Sequence, residues 1–451
     1  MNRNKHIDMT TGSLLGKILL FTLPLMLSSI LQLLFNAVDI VVVGKFAGSR
    51  SLAAVSSTSA LINLITNLFI GLSVGCNVVV AKHIGEKDNE KIYNSISTSI
   101  FISIVGGAIL GIVGFFLAKP ALQMMGSPAD VIDLSTTYLK IYFLGMPALM
   151  IYNYGAAILR AQGDTRRPLN FLLVAGVINA LLNLFFVVVL KLDVAGVGLA
   201  TIISQYISGG LIFECIRNEQ YPNCFDLKEL HIDGSELKSI LLVGLPAGLQ
   251  GTVFAISNVT IQSSINSFGS IVMAGNGAAS NLEGFVYQAM NAFYQSAVSF
   301  TSQNIGAKKM DRVNKILFTC LLYVTITGFI SGFGVYLFGE PLLKIYTDDP
   351  AVVVAGMVRL SWVCRLYFLC GIMDVICGCI RGLGNSIIPM IVSLLGACAF
   401  RLIWIVTVFK RIGTLDILYV SYSISWTLTA FFHMLFFIII RRQVARKLTN
   451  L

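Results

Sequence analysis

The sequence predicts an all-α integral membrane protein, with twelve transmembrane helices in two six-helix lobes related by a pseudo-two-fold axis along the membrane normal. Three observations carry this expectation. The 451 residues are 56% hydrophobic and only 12% charged, where a soluble domain carries about 25% charged residues, and the mean hydropathy is +0.81. The apolar residues are gathered into runs, each to be judged against the ~20 residues that cross ~30 Å of hydrocarbon. Short motifs of the first half also return in the second at a nearly constant offset.

Taken in order, the runs fall near 18–44, 52–81, 95–118, 136–159, 169–190 and 194–215, then 239–265, 271–300, 316–338, 354–380, 387–409 and 415–440. Most are long enough to span with some tilt. The first, from Ile18 to Gly44, is too long for a signal-peptide core and has no small-residue cleavage pattern after it, so it reads as a retained span. The expected organisation is an N-terminal lobe over 1–215, a polar cytoplasmic linker over 216–238 and a C-terminal lobe over 239–451. Lys and Arg set the orientation. With the N-terminus inside, the inner segments hold 21 of them and the outer loops, taken with the adjoining span ends, 9, which places both termini in the cytoplasm.

The repeat rests on three separated anchors. Leu23-Pro24 recurs as Leu245-Pro246 and Ile84-Gly85 as Ile305-Gly306. Arg160-Ala-Gln-Gly163-Asp-Thr-Arg-Arg-Pro168 recurs as Arg381-Gly-Leu-Gly384-Asn-Ser-Ile-Ile-Pro389, with arginine, glycine and proline in step. Turn residues after helices do not by themselves explain a shared spacing. Six spans per half is an even number, so the second half re-enters the membrane with the orientation of the first.

Composition excludes several classes. The net charge of +10 follows from basic cytoplasmic loops, and no basic stripe with interleaved aromatics points to nucleic acid. Of the nine cysteines, Cys76, Cys215, Cys320, Cys364, Cys370, Cys377, Cys379 and Cys398 lie in or at the ends of apolar runs, and Cys224 sits in a polar loop. No Cys-x-x-Cys pair or zinc-spaced histidine is present, so packing is their expected role. Gly12-Ser-Leu-Leu-Gly16-Lys17 lacks a spacer residue and the Ser/Thr of a phosphate-binding loop. The four histidines, His6, His83, His231 and His433, form no catalytic pairing. The chain reads as neither an enzyme nor an ATPase, with no cofactor and no built metal centre. If the chain pumps, it draws on an ion gradient or a partner.

Charge inside the spans is the better guide, because an ionisable residue there costs ~2.5–3.5 kcal/mol on insertion scales and usually has a function or a partner. Asp39, Glu283, Arg365, Asp374 and Arg401 are the candidates. Arg365 and Arg401 read as members of structural salt bridges. Asp39 reads as functional, because its half offers no interior basic residue to pair with it. Desolvation penalises a charged carboxylate, so such a group exchanges a proton or holds Na⁺ with help from amides and hydroxyls. Asn153, Asn179, Asn183 and Thr201 are the available helpers, and Asn179 and Asn183, four apart, share a helix face. The same amides serve equally for interhelical hydrogen bonding. Glu283 and Asp374 are expected to face a cavity that water or a cation reaches, with Asn153 and Glu283 as cavity-lining candidates. Gly107-x-x-x-Gly111 suits close helix packing, and Pro24 removes a backbone hydrogen bond from span 1 and is its candidate hinge.

Over essentially its whole length the chain resembles the multidrug and toxic compound extrusion (MATE) family of secondary transporters. Phe35-Asn-Ala-Val-Asp39-Ile-Val-Val-Val-Gly44 is similar to its span 1 signature. Asn179-Ala-Leu-Leu-Asn183 with Ala195-Gly-Val-Gly-Leu-Ala-Thr201 is similar to its spans 5 and 6. Leu159-Arg160-Ala-Gln-Gly163 and Ile380-Arg381-Gly-Leu-Gly384 are similar to its repeat marks. The resemblance implies two six-helix bundles forming a V, and export of small amphipathic, often cationic compounds coupled to H⁺ or Na⁺. It implies a coupling site at Asp39 with Asn179, Asn183 and Thr201, and a second acidic position at Asp374. Two departures thin the carboxylate set: many members carry an acid where this chain has Asn183, and some carry one where it has Gln250 or Gly251. The coupling ion stays open between H⁺ and Na⁺. The expected setting is a monomer in a bacterial plasma membrane. The alternatives are a flippase for lipid-linked saccharides of the same two-lobe superfamily and, from another class, a membrane-embedded enzyme.

Overall fold

The computed structural model describes residues 6–127 and 129–449. Its long helices follow the apolar runs: α1 (Leu14–Ala47), α2 (Arg50–Glu86), α3 (Asn89–Met124), α4 (Ile132–Leu144 with Met146–Ala161), α5 (Arg166–Val189) and α6 (Asp193–Arg217). Then come α7 (Gly234–Asn266), α8 (Ser270–Gly306), α9 (Met310–Leu337), α10 (Pro350–Leu366 with Phe368–Gly382), α11 (Ile387–Ile412) and α12 (Leu415–Leu448). Among the described residues nine of these are single helices long and apolar enough to cross a membrane, and the two bent pairs, α4 and α10, raise the number to eleven. The twelfth is α8. At 37 residues it is long enough, but Asn276, Asn281, Glu283, Gln288, Asn291 and Gln295 make it more polar than its neighbours.

Local chemistry sets the ends and bends. Asp88 caps α3 by accepting from the Lys91 amide, and Asp349 caps α10 by accepting from the Ala351 amide with Pro350 following, as orphan N-terminal donors require. α1 continues through Pro24 as one helical run. The bends of 47° in α4 and 44° in α10 fall at Gly145 and Tyr367, 222 residues apart. Backbone geometry repeats likewise. Eight of the eleven left-handed residues among those described fall in pairs: Gly48 with Gly269, Lys87 with Lys308, and Gly163 with Gly384, each 221 apart, then Lys191 with Gly413, 222 apart. Gly163 (φ 90°) and Gly384 (φ 87°) close the two Arg-x-x-Gly turns, where a side chain would be strained. Between Gly384 and Gly413 the offset of these residues grows by one, across α11. There the chain makes an extra π-helical stretch, Leu394–Ala399, and such a stretch accommodates a single insertion. A second, Ile405–Phe409, answers Leu184–Val189 of α5.

The chain divides into two compact units, Met1–Ile7 with Leu27–Leu241, and Asp8–Met26 with Leu242–Leu451. In the first, α3 shows how a membrane helix partitions its faces. Ile109, Ile112, Val113 and Phe116 are exposed and suit lipid. Gly107, Gly111 and Gly114 are buried against α4, where a Cβ at Gly107 would lie 2.6 Å from the Pro147 Cα. Small residues thus let two backbones approach, as expected of that motif. In the second unit α8 packs against α9 and both parts of α10.

Candidate functional site

In the first unit, three helices bring polar groups to Asp39, which is partly buried on α1. Phe35, one turn earlier, lies over Gly176 of α5, where a Cβ would fall 1.8 Å from its ring. The bare glycine admits the ring and draws α1 onto α5. Two turns further along α5, the Asn183 amide nitrogen donates to Asp39 Oδ1 and to Asn179 Oδ1, the latter at 3.1 Å. From α6 the Thr201 hydroxyl lies 3.5 Å from Asp39 Oδ2 and donates to the Val197 carbonyl at 2.9 Å. Asn179 and Asn183 are buried, and Asn183 Oδ1 meets no hydrogen-bond donor. Asn183 is followed directly by the π-helical stretch Leu184–Val189, a feature frequent at functional sites. No basic side chain pairs with Asp39 among the described residues. The set therefore offers oxygen acceptors and neutral donors, which suits a proton or a hard cation. Asn153 is elsewhere: its amide donates back to the Leu149 carbonyl at 2.9 Å.

The second unit holds the other charges. Asp374 is partly buried on α10, and among the described residues it makes no ion pair or hydrogen bond. Glu283 is buried in a two-point pair with Arg359, with Nε 2.6 Å from Oε1 and Nη2 2.7 Å from Oε2. Arg359 Nη1 donates to Asn276 Oδ1 at 2.7 Å, and the Tyr419 hydroxyl donates to the same oxygen at 3.1 Å. Arg359 counts among the outer-loop cations in the sequence; the structure buries it inside α10. The salt bridges expected for Arg365 and Arg401 are not formed among the described residues. Arg365 lies over the Tyr336 ring at 5.1 Å and Arg401 over Tyr422 at 4.2 Å, because aromatic faces, not carboxylates, adjoin them. Arg381 is also buried, donating to the Tyr294 hydroxyl at 2.5 Å and to Gln250 Oε1 at 2.7 Å. Gln250 thus faces a cation as a neutral acceptor.

His83 is a further feature the sequence reading left out. Its ring nitrogens lie 2.8 Å from Glu86 Oε2 and 3.0 Å from Glu236 Oε2, tying the end of α2 to the start of α7. Beside it, the His231 amide donates to the Ser97 hydroxyl at 3.1 Å and the Asp233 amide to the Thr98 hydroxyl at 2.9 Å, which fastens the polar linker to α3. No group of three or more metal-ligating side chains occurs among the described residues.

Comparison with known proteins follows the same geometry. The MatE family model matches twice, over residues 24–185 and 246–407, which reproduces the internal repeat. The chain is 30% identical over 400 residues to the probable multidrug resistance protein YpnP of Bacillus subtilis, covering 88% of this chain and 89% of that protein. It is 27% identical over 382 residues to the probable multidrug resistance protein YoeA of the same organism, covering 83% and 82%. Its fold is similar to the outward-facing conformation of a multidrug resistance MATE family transporter, with a TM-score of 0.91 at 19% identity, covering 99% of this chain and 100% of that one. A doubled family match over most of the chain, with twelve helices to carry it, means that the protein belongs to the MatE family of membrane transporters.

Proposed function

We propose that the protein exports small amphipathic, predominantly cationic organic compounds by alternating access, in exchange for H⁺ or Na⁺ bound at Asp39. One observation carries the reading: a carboxylate inside a transmembrane helix is met by Asn183 and Thr201 and by no cation among the described residues. Loading that carboxylate with a proton or Na⁺ removes its charge and changes how α1 packs on α5 and α6. This supplies the differential binding that a switch between states requires. Pro24, which leaves α1 one backbone hydrogen bond short, is the hinge of that motion in this reading. Asp374 is a second ion-responsive group, while Glu283, held by Arg359, fixes the packing of α8 on α10. The lobes are 1–215 and 239–451, joined by the cytoplasmic linker, with both termini in the cytoplasm of a monomer.

The test is purified protein in liposomes under an imposed pH or Na⁺ gradient, followed by uptake of a fluorescent cationic dye. Asp39→Asn exchanges one polar isostere for another and should leave folding intact. It should abolish gradient-driven transport while dye still binds. Full transport by the variant at matched protein levels would remove Asp39 from the mechanism.

A further inference from the structure

Corresponding positions in the two halves of the chain carry different charge. Beyond the π-helical insertion in α11 the repeat offset is 222, as Lys191 and Gly413 show, and the family match ends its two copies at residues 185 and 407, the same distance apart. At that offset Asn179 corresponds to Arg401; Asp39 corresponds to Ile261 because the two family matches also begin 222 apart, at residues 24 and 246. The acidic position has become aliphatic and the neutral one cationic.

Arg401 is 4% exposed. Its Nε donates to the Ser425 hydroxyl at 2.8 Å, and its guanidinium lies 4.2 Å from the Tyr422 ring centre and 5.6 Å from that of Trp426. Nη2 is buried and has no acceptor. Among the described residues no carboxylate forms a hydrogen bond or ion pair with Arg401; what adjoins it is the apolar and aromatic cluster of Ile261, Cys370, Met373, Tyr419, Tyr422 and Trp426. Of the acids placed well inside this unit's spans, Glu283 is committed to Arg359 and Asp374 forms no ion pair with Arg401 among the described residues, while Asp416, at the start of α12, accepts from the Trp362 ring nitrogen. A guanidinium withdrawn from water loses more solvation than contact with aromatic faces returns. One hydroxyl and two rings leave the charge under-compensated, and the free Nη2 marks where compensation is missing.

The geometry points to an anion-accepting site at Arg401, the counterpart in the second half of the cation-accepting site at Asp39. Its ligand is a singly charged anionic group, either a free halide or the carboxylate end of a cargo molecule. Nη2 donates to it, and Tyr422 and Trp426, which cover the guanidinium, are the side chains that give way on entry. The site stands independently of whether Asp39 couples transport.

The chain has three tryptophans, so the Trp362→Phe/Trp404→Phe protein leaves Trp426 as sole reporter beside the guanidinium. In detergent, sodium chloride and sodium valerate are titrated separately against sodium sulfate at constant ionic strength, and Trp426 emission is followed. The expected result is a saturable change with at least one of the two monovalent anions, weakened about tenfold or more in Arg401→Gln and partly retained in Arg401→Lys. Saturation by chloride identifies a free halide, and saturation by valerate alone identifies the acidic end of a cargo. Should Arg401→Gln fail to fold, Ser425→Ala, which frees the guanidinium from its Nε anchor, should shift the midpoint. No saturable response to either anion, or a response unchanged in Arg401→Gln, would overturn the assignment. So would a response that appears only in Asp374→Asn, because Arg401 would then serve Asp374.

Discussion

The ion pair between Glu283 and Arg359 shows what a single side chain is asked to do inside a membrane protein. Both groups are buried, both Glu283 oxygens are used, and Arg359 reaches on to Asn276. Removing one partner strands the other as an uncompensated charge, which costs about 3–5 kcal/mol, while replacing both with apolar residues of similar size is often neutral. Glu283→Leu and Arg359→Met should each lower the thermal midpoint of the purified protein sharply, and the double variant should recover most of the loss. Equal midpoints for the single variants and the parent would mean that the pair is not formed in solution. Arg359 was hidden from a reading of the sequence for a simple reason. It lies near the start of an apolar run and counts naturally with the preceding loop, and its partner is 76 positions away with no local signal linking them. Asn179 and Asn183 were legible because their spacing of four places them on one helix face.

At the scale of the element, glycines decide how closely helices meet. Gly107 faces the Pro147 backbone, which cannot move aside as a side chain would. Gly107→Ala should therefore destabilise the protein by about 1–3 kcal/mol, seen as a lower melting midpoint. Gly210→Ala is the control, because nothing lies within 4 Å of its would-be Cβ. There the gain of up to ~1 kcal/mol in helix propensity should prevail, and a loss at Gly210 matching that at Gly107 would remove packing as the cause. Helix positions were readable from the apolar runs almost throughout. The bends at Gly145 and Tyr367 and the π-helical stretches were not, because they depend on which carbonyl each amide selects. The repeated glycines of the Arg-x-x-Gly turns were visible as letters; their left-handed backbone explains why they recur.

Across the whole molecule, duplication has been followed by divergence. The framework kept its register: bends, left-handed turns and the two family matches all stand 221 or 222 residues apart. The polar residues did not. The first unit gathers a lone carboxylate with amides, whereas the second holds three buried arginines, Arg359, Arg381 and Arg401. Repeat spacing in the sequence discloses the shared frame because helix lengths and turns are constrained by the bilayer. It says little about how each half uses its interior.

The polarity of α8 has a consequence for biosynthesis. The helix carries Glu283 and a series of amides through the bilayer, and a carboxylate at a helix centre opposes release from the translocon into lipid by ~2.5–3.5 kcal/mol. Its partner cation, Arg359, is synthesised 76 residues later. Stable insertion of α8 should thus wait for α9 and α10, so that the second half enters the membrane as a group rather than helix by helix. A topology reporter fused after Lys309 should report mainly from the outer side, because α7 has crossed and α8 has not. Fused after Leu383, and read together with a cysteine label at the α8–α9 turn, it should show α8 inserted. Introducing Arg359→Met into the longer fusion should return α8 to the outer side, and correct insertion of α8 in the shorter fusion would show that it needs no later partner.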